Sequence, residues 1–204
     1  MKIQYFGHSC FLIETSKFSI CLDPFSNIGL KEPNVSADYY FCSHNHYDHN
    51  NYNIVKGAKA LDNKVNFTLV DTFHDKNNGS LRGNNSILVL LEELKVVHLG
   101  DLGEDLQDKD KLNLISNADI LLCPIGGNYT INYAEAISLI NKIKPKIVIP
   151  MHYSVLGSTV DIDTVDNFLN NANLSISRYK SKIDITSKDL QQKETKIYLL
   201  EVEN

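Results

Sequence analysis

Residues 43–49 read Ser-His-Asn-His-Tyr-Asp-His, so His44, His46, Asp48 and His49 fall within six positions, directly after a β-type run at 39–42. Imidazole and carboxylate are donors that a borderline divalent ion such as zinc accepts. On extended chain, residues i and i+2 point the same way, so His44 and His46 can grip one ion. Asp48 and His49 fall past the turn, angled toward a second position. Four donors in one short loop cannot close two coordination spheres, so the fold must carry further histidines and acids to this loop from elsewhere in the chain.

The chain offers them in a regular pattern. Short β-type runs at 2–6, 10–14, 18–23, 39–42, 65–71, 86–92, 95–99, 119–123, 146–149 and 196–202 outnumber the helical stretches, expected at 50–56, 104–115, 133–143 and 161–171. In the third helix Ala136, Ile140 and Ile143 recur at i, i+4 and i+7, giving one apolar stripe to lay on a sheet, and Pro145 stops it. Early strands follow one another as a meander and later ones are separated by helices. An α/β (α+β) sandwich of two mixed sheets faced with helices fits this order better than a doubly wound parallel sheet. The whole of 1–204 is expected to be a single domain, since its length suits one core and is short for two.

On this map His74 lies just past the run ending at Asp71, Asp101 sits in Gly100-Asp101-Leu102-Gly103 after the run 95–99, and His152 follows the run 146–149. Each stands at the C-terminal end of a strand, where loops converge in space though far apart in sequence. Alone, Asp101 reads as a helix cap and His74 as a solvated loop residue. Beside the 43–49 loop they read as the missing donors.

His8, between the first two strands, is expected either to contact the site or substrate or simply to close the strand turn. His98, on the strand leading to Asp101, is expected to pack, with support of a metal ligand from behind as the less favoured alternative. Arg82 would suit a phosphate or carboxylate on a substrate, although its glycine-bearing loop 76–83 also reads as a plain hairpin turn. Asn128 lies in a loop expected to overhang the site. Tyr153, next to His152, could donate to a substrate oxygen.

The succession H-x-H-x-D-H, His74, Gly-Asp-Leu-Gly and Pro150-Met151-His152-Tyr153 resembles the metallo-β-lactamase superfamily over nearly the whole chain. Gly7-His8-Ser9-Cys10, Leu22-Asp23-Pro24-Phe25 and Pro124-Ile125-Gly126-Gly127 look like the branch that includes L-ascorbate 6-phosphate lactonase-type proteins and, more distantly, N-acylphosphatidylethanolamine phospholipase D. The resemblance implies a four-layer αββα sandwich. It implies that His44, His46 and His74 bind one divalent metal, that Asp48, His49 and His152 bind a second, and that Asp101 bridges them. Zinc is the metal commonest in such proteins, with manganese or iron in some.

The chemistry expected of such a site is hydrolysis. Two ions sharing Asp101 lower the pKa of a water between them from 15.7 toward ~7, and Asp48 is placed to shuttle the proton. The substrate expected is a small ester, lactone or phosphodiester, anionic if Arg82 takes part. The competing expectation is a di-iron redox or metal-binding protein of the same fold, although the chain shows neither a flavin domain nor a rubredoxin-like cysteine quartet.

Composition narrows the partners. A net charge of −5 argues against a surface that tracks phosphates, and the inserted domain of nuclease branches is lacking, so nucleic acid is not expected. No apolar stretch approaches bilayer length and the first residues show no secretory signal. Cys10, Cys21, Cys42 and Cys123, scattered in apolar runs, are expected to be reduced, which suits a cytoplasmic protein. An oligomer could form if the strand at 196–202 lies at a sheet edge.

Overall fold

Alternation of apolar residues builds the first sheet. In this computed structural model, which describes residues 1–203, β1 (Lys2–Gly7), β2 (Cys10–Glu14), β3 (Ser19–Leu22), β4 (Tyr39–Phe41) and β5 (Lys59–Ala60) lie side by side in chain order. Phe11 and Ile13 of β2 point inward while Cys10 and Leu12 point outward, the two-residue period of a strand buried on both faces. Phe25, Ile28, Val35, Ala37 and Val55 cover the outer side.

The second sheet starts as an antiparallel meander, β6 (Phe67–Phe73), β7 (Asn84–Leu91) and β8 (Lys95–His98), and turns parallel through β9 (Ile120–Pro124) and β10 (Ile147–Met151). β9 and β10 are buried along their whole length, as central parallel strands are. α1 (Lys109–Ile115), between β8 and β9, and α2 (Tyr133–Ile143), between β9 and β10, form the outer layer. Asn132 caps α2 through the N–H groups of Ala134 and Glu135, and Glu135 returns a bond to the Asn132 N–H, so both ends of a capping box are made.

The two sheets face one another across one apolar cluster, giving the αββα plan. Its outer layer over the first sheet is thin: the helix expected at 50–56 is a single 3-10 turn, Tyr52–Ile54, within the loops that cover β1 to β4. The helix expected from 104 begins at Lys109, capped by Asp108, because the preceding residues run across the site instead; Gly103 N–H bonds Phe73 O, and Leu102 and Leu106 are buried. The helix expected at 161–171 is α3 (Asp166–Asn171).

Two polar strands escape the alternation signal. β11 (Ser175–Tyr179) ends the second sheet and β12 (Lys182–Asp184) ends the first, so the chain changes sheets within the two residues between them. They alter one expectation. The strand at 196–202, taken as an edge available for pairing, is β13 (Lys196–Leu200), and it is covered on both sides by parallel partners β11 and β10. All four cysteines are free thiols. No helix among the described residues is long and apolar enough to cross a membrane.

Candidate metal centre

Six strands end against one another here. Past β1, β3, β4, β6, β8 and β10 stand His8, Asp23, the 43–49 loop, His74, Asp101 and His152. Asp101 is at the middle and buried: its Oδ2 lies 3.2 Å from His49 Nε2, 3.2 Å from His74 Nε2, 3.1 Å from His152 Nε2 and 4.0 Å from His44 Nε2. The structure thus brings together every residue that the sequence nominated as a metal donor. Ligand atoms of His44, His46 and His74 all lie within 4.8 Å of one another on one side, and those of His8, His49 and His152 do so on the other.

Two close approaches aim Asp101. Gly100 has φ +54° and a Cβ there would stand 2.4 Å from Asn85 Oδ1 and 2.5 Å from Ser43 Cβ, so only glycine lets the β8 end pass between those loops. Asn85 Oδ1 then accepts the Asp101 N–H at 2.9 Å, while its amide donates to Thr72 Oγ1 and Leu99 O. Asn85 is almost fully buried and carried no sequence signal, lying just before the β run read at 86–92.

The larger omission is Asp23. This fully buried carboxylate accepts from Ser43 N–H at 2.7 Å, Ser43 O–H at 2.7 Å, His49 Nδ1 at 2.9 Å and His98 Nε2 at 2.9 Å. His98, expected to pack, therefore belongs to the support of the site. Donation from Nδ1 to Asp23 turns His49 Nε2 into the cluster, the arrangement by which an outer carboxylate orients a ligating imidazole. With its own proton on Asp23, Ser43 Oγ accepts from His44 Nδ1 at 2.9 Å and presents His44 Nε2 inward. Tyr129 O does the same for His74 Nδ1 at 3.1 Å. The available signal was that Asp23, like the donors, follows a strand on the same edge.

Burial and charge set the protonation of the metal-free cluster. Burial, reinforced by His49, pushes the His44 imidazole down to about 3, and burial with His152 pushes His8 down to about 4. Burial also opposes charge on His49, but Asp101 and Asp23 outweigh it and hold that imidazole well above its usual range. Asp101, although desolvated, is held well below the ordinary carboxylate range by His152 and His49.

The donor set fits metal ions on direct grounds. His44 Nε2 and Asp101 Oδ1 are buried with no hydrogen-bond partner, which is costly unless something else satisfies them. Six imidazoles around one carboxylate suit borderline ions such as zinc better than magnesium or calcium.

A cleft of about 680 Å³ opens over His46, Asp48, His74, Asp101 and His152. Arg82 stands in its wall with its guanidinium 4.2 Å over the Tyr129 ring. Asp75 shapes the Arg82 loop by accepting the N–H groups of Asn77, Gly79, Leu81 and Arg82, so the residue is both part of a turn and part of the wall. Asn128 is at the neighbouring rim, its amide donating to Asp161 O at 2.7 Å. Tyr153 is elsewhere: it is buried, its ring centroid is 6.4 Å from that of Tyr5, and it borders a separate cavity of about 550 Å³. The expectation that it contacts substrate is corrected by the turn at His152, which sends adjacent side chains to opposite sides.

The comparisons with known proteins point the same way as this geometry. The family model described as the beta-lactamase superfamily domain matches residues 2–152. A relative from Archaeoglobus fulgidus named UPF0173 metal-dependent hydrolase is 29% identical, with 76% of this chain and 84% of that one covered. One of the same name from Desulforamulus reducens is 30% identical, with 76% and 85% covered. The crystal structure of a proposed Zn-dependent hydrolase of the metallo-beta-lactamase superfamily from Thermotoga maritima is 35% identical, covers 99% of each chain and superposes with a TM-score of 0.81. Igni18, a metallo hydrolase from Ignicoccus hospitalis, shares the fold at 18% identity and a TM-score of 0.64. This chain belongs to the metallo-β-lactamase superfamily, among relatives that bear the name metal-dependent hydrolase.

Proposed function

We propose that this protein is a hydrolase that works with two divalent ions, zinc by the character of the donors, on a small ester, lactone or phosphodiester. One observation carries the reading: two groups of imidazoles flank a single buried carboxylate, Asp101, whose Oδ1 has no hydrogen-bond partner among the described residues. In this reading His44, His46 and His74 hold one ion, Asp48, His49 and His152 hold the other, and Asp101 lies between. Ions bound there supply Lewis acidity and make water a nucleophile at neutral pH, so no serine or cysteine nucleophile is required.

The chain's own groups do the rest. Asp48 is partly open to the cleft and takes the proton of the attacking water at a carboxylate oxygen, returning it to the leaving group. Asp23 keeps His49 in one tautomer and orientation. Arg82, the one cationic side chain lining the cleft among the described residues, holds an anionic group of the substrate away from Asp48 and Asp161. Residues 1–204 act as one domain, supported by the common core of the two sheets.

Elemental analysis of protein purified without chelator tests the reading, paired with hydrolysis of p-nitrophenyl acetate, a γ-lactone and bis-p-nitrophenyl phosphate. About two zinc ions per chain and turnover abolished by chelation are expected. Less than one tenth of an ion per chain, not restored by added zinc, overturns it; iron with visible absorption moves the reading to redox chemistry.

A further inference from the structure

We infer that His8, outside the H-x-H-x-D-H string, is itself a metal ligand, joining His49, His152 and Asp48 around the second ion. The inference rests on the two-ion reading above and changes its ligand count. The geometry distinguishes a ligand from a neighbour. His8 Nε2 lies 3.1 Å from His49 Nε2 and 3.3 Å from Asp48 Oδ2, while His49 Nε2 and His152 Nε2 lie 3.2 and 3.1 Å from Asp101 Oδ2. Donors held at 2.0–2.1 Å by one tetrahedral ion sit about 3.4 Å apart, so these separations are those of atoms that share an ion. The His8, His49, His152 trio meets the same 4.8 Å limit on ligand-atom separation as the His44, His46, His74 trio.

The backbone is built to bring His8 here. Gly7 (φ +104°) and His8 (φ +54°) break the β1 strand into a left-handed corner, and the β1–β2 register shifts there. The His8 carbonyl is then fixed from two sides, accepting His152 N–H at 2.7 Å and Tyr5 O–H at 3.0 Å. A histidine in this conformation is strained, and plain closure of a hairpin would be served better by glycine or asparagine. His152 is also left-handed, at φ +51°, so the two backbone-linked residues turn their rings to the same place, with centroids 4.2 Å apart.

The test is nitrogen-cadmium coupling in the full chain, labelled with 15N-histidine and loaded with 113Cd. Six imidazoles coupled to cadmium are expected, with the His8 Nε2 signal sharing its cadmium with His49 and His152. His8→Asn, which suits the left-handed backbone, identifies that signal, leaves five couplings and weakens the second ion by more than the 10–100-fold of an orienting partner. Coupling at the other histidines with none at His8 overturns this inference alone, and the wild-type count decides it even if the variant fails to fold. No coupling at any histidine overturns it together with the two-ion reading.

Discussion

The two sides of the centre are built differently. On one, His8, His49 and His152 are all buried, and a buried Asp23–His98 pair lies behind His49. On the other, His46 is partly exposed to the cleft, and His44 and His74 are oriented by one hydroxyl and one carbonyl. The closed side has its geometry fixed by charge-assisted bonds in a dry interior, where such bonds are strongest. Substrate arrives over the cleft, which borders His46 and His74 here and also reaches Asp48 and His152 of the other ion. An ion on the closed side should therefore be held tightly and exchange slowly, and one on the open side should exchange readily.

Removing what both sides share has the largest effect. Asp101→Ala should leave under one tenth of either ion by elemental analysis and lower kcat by about 10⁴-fold or more, comparable with loss of a whole catalytic unit. Retention of both ions would break the picture of a shared carboxylate. Next is Asp23→Ala, which strips His49 and His98 of their common acceptor. It should weaken the closed-side ion by about 10–100-fold in chelator competition, the open-side ion less, through the Ser43 hydroxyl that orients His44, and lower unfolding free energy by about 3 kcal/mol in urea titration, since partners of a buried charge are left behind. An equal loss from both sides would erase the distinction.

His46→Ala should reduce the stoichiometry from two ions to one with little change in thermal stability, the remaining ion being the slowly exchanging one. The pH effect is smaller. His8 and His44 are already neutral at pH 7, pushed down to about 4 and about 3, whereas Asp101 and Asp23 keep His49 protonated in the metal-free state. Loading the closed side should thus release about one proton at pH 7, and its affinity should fall about tenfold per unit as pH decreases. An indicator dye reads this release directly. The smallest change is Arg82→Ala, expected to raise KM for an anionic substrate about tenfold with kcat nearly unchanged, and to leave a neutral ester unaffected.

How legible these features were depended on their physics. The donors could be read because metal binding demands particular side chains at strand ends, and α2 because an apolar stripe and Pro145 agree on its limits. Asp23 and His98 could not be read, because nothing in the sequence pairs residues 75 positions apart across two sheets. Asn85 was hidden because it falls just before the run read at 86–92, a strand that the fold extends back to Asn84. The strands β11 and β12 were missed because they are short and polar, and with them the covered position of β13. Helix starts failed where tertiary contacts took the chain elsewhere, as at Leu102 and Leu106, which are buried beneath the site.

The loop that wraps Asp75 has a consequence for how such a protein can change over time. Its four bonds to the carboxylate are all donated by main-chain N–H groups, and any residue but proline brings one of those, although the left-handed Gly79, φ +77°, is held to glycine by the nearby Gly83 O. One anchoring acid therefore keeps the shape of the cleft wall while the side chains around it are replaced. Selection can rewrite what the cleft accepts along this short stretch, one substitution at a time, without disturbing the chemistry beneath.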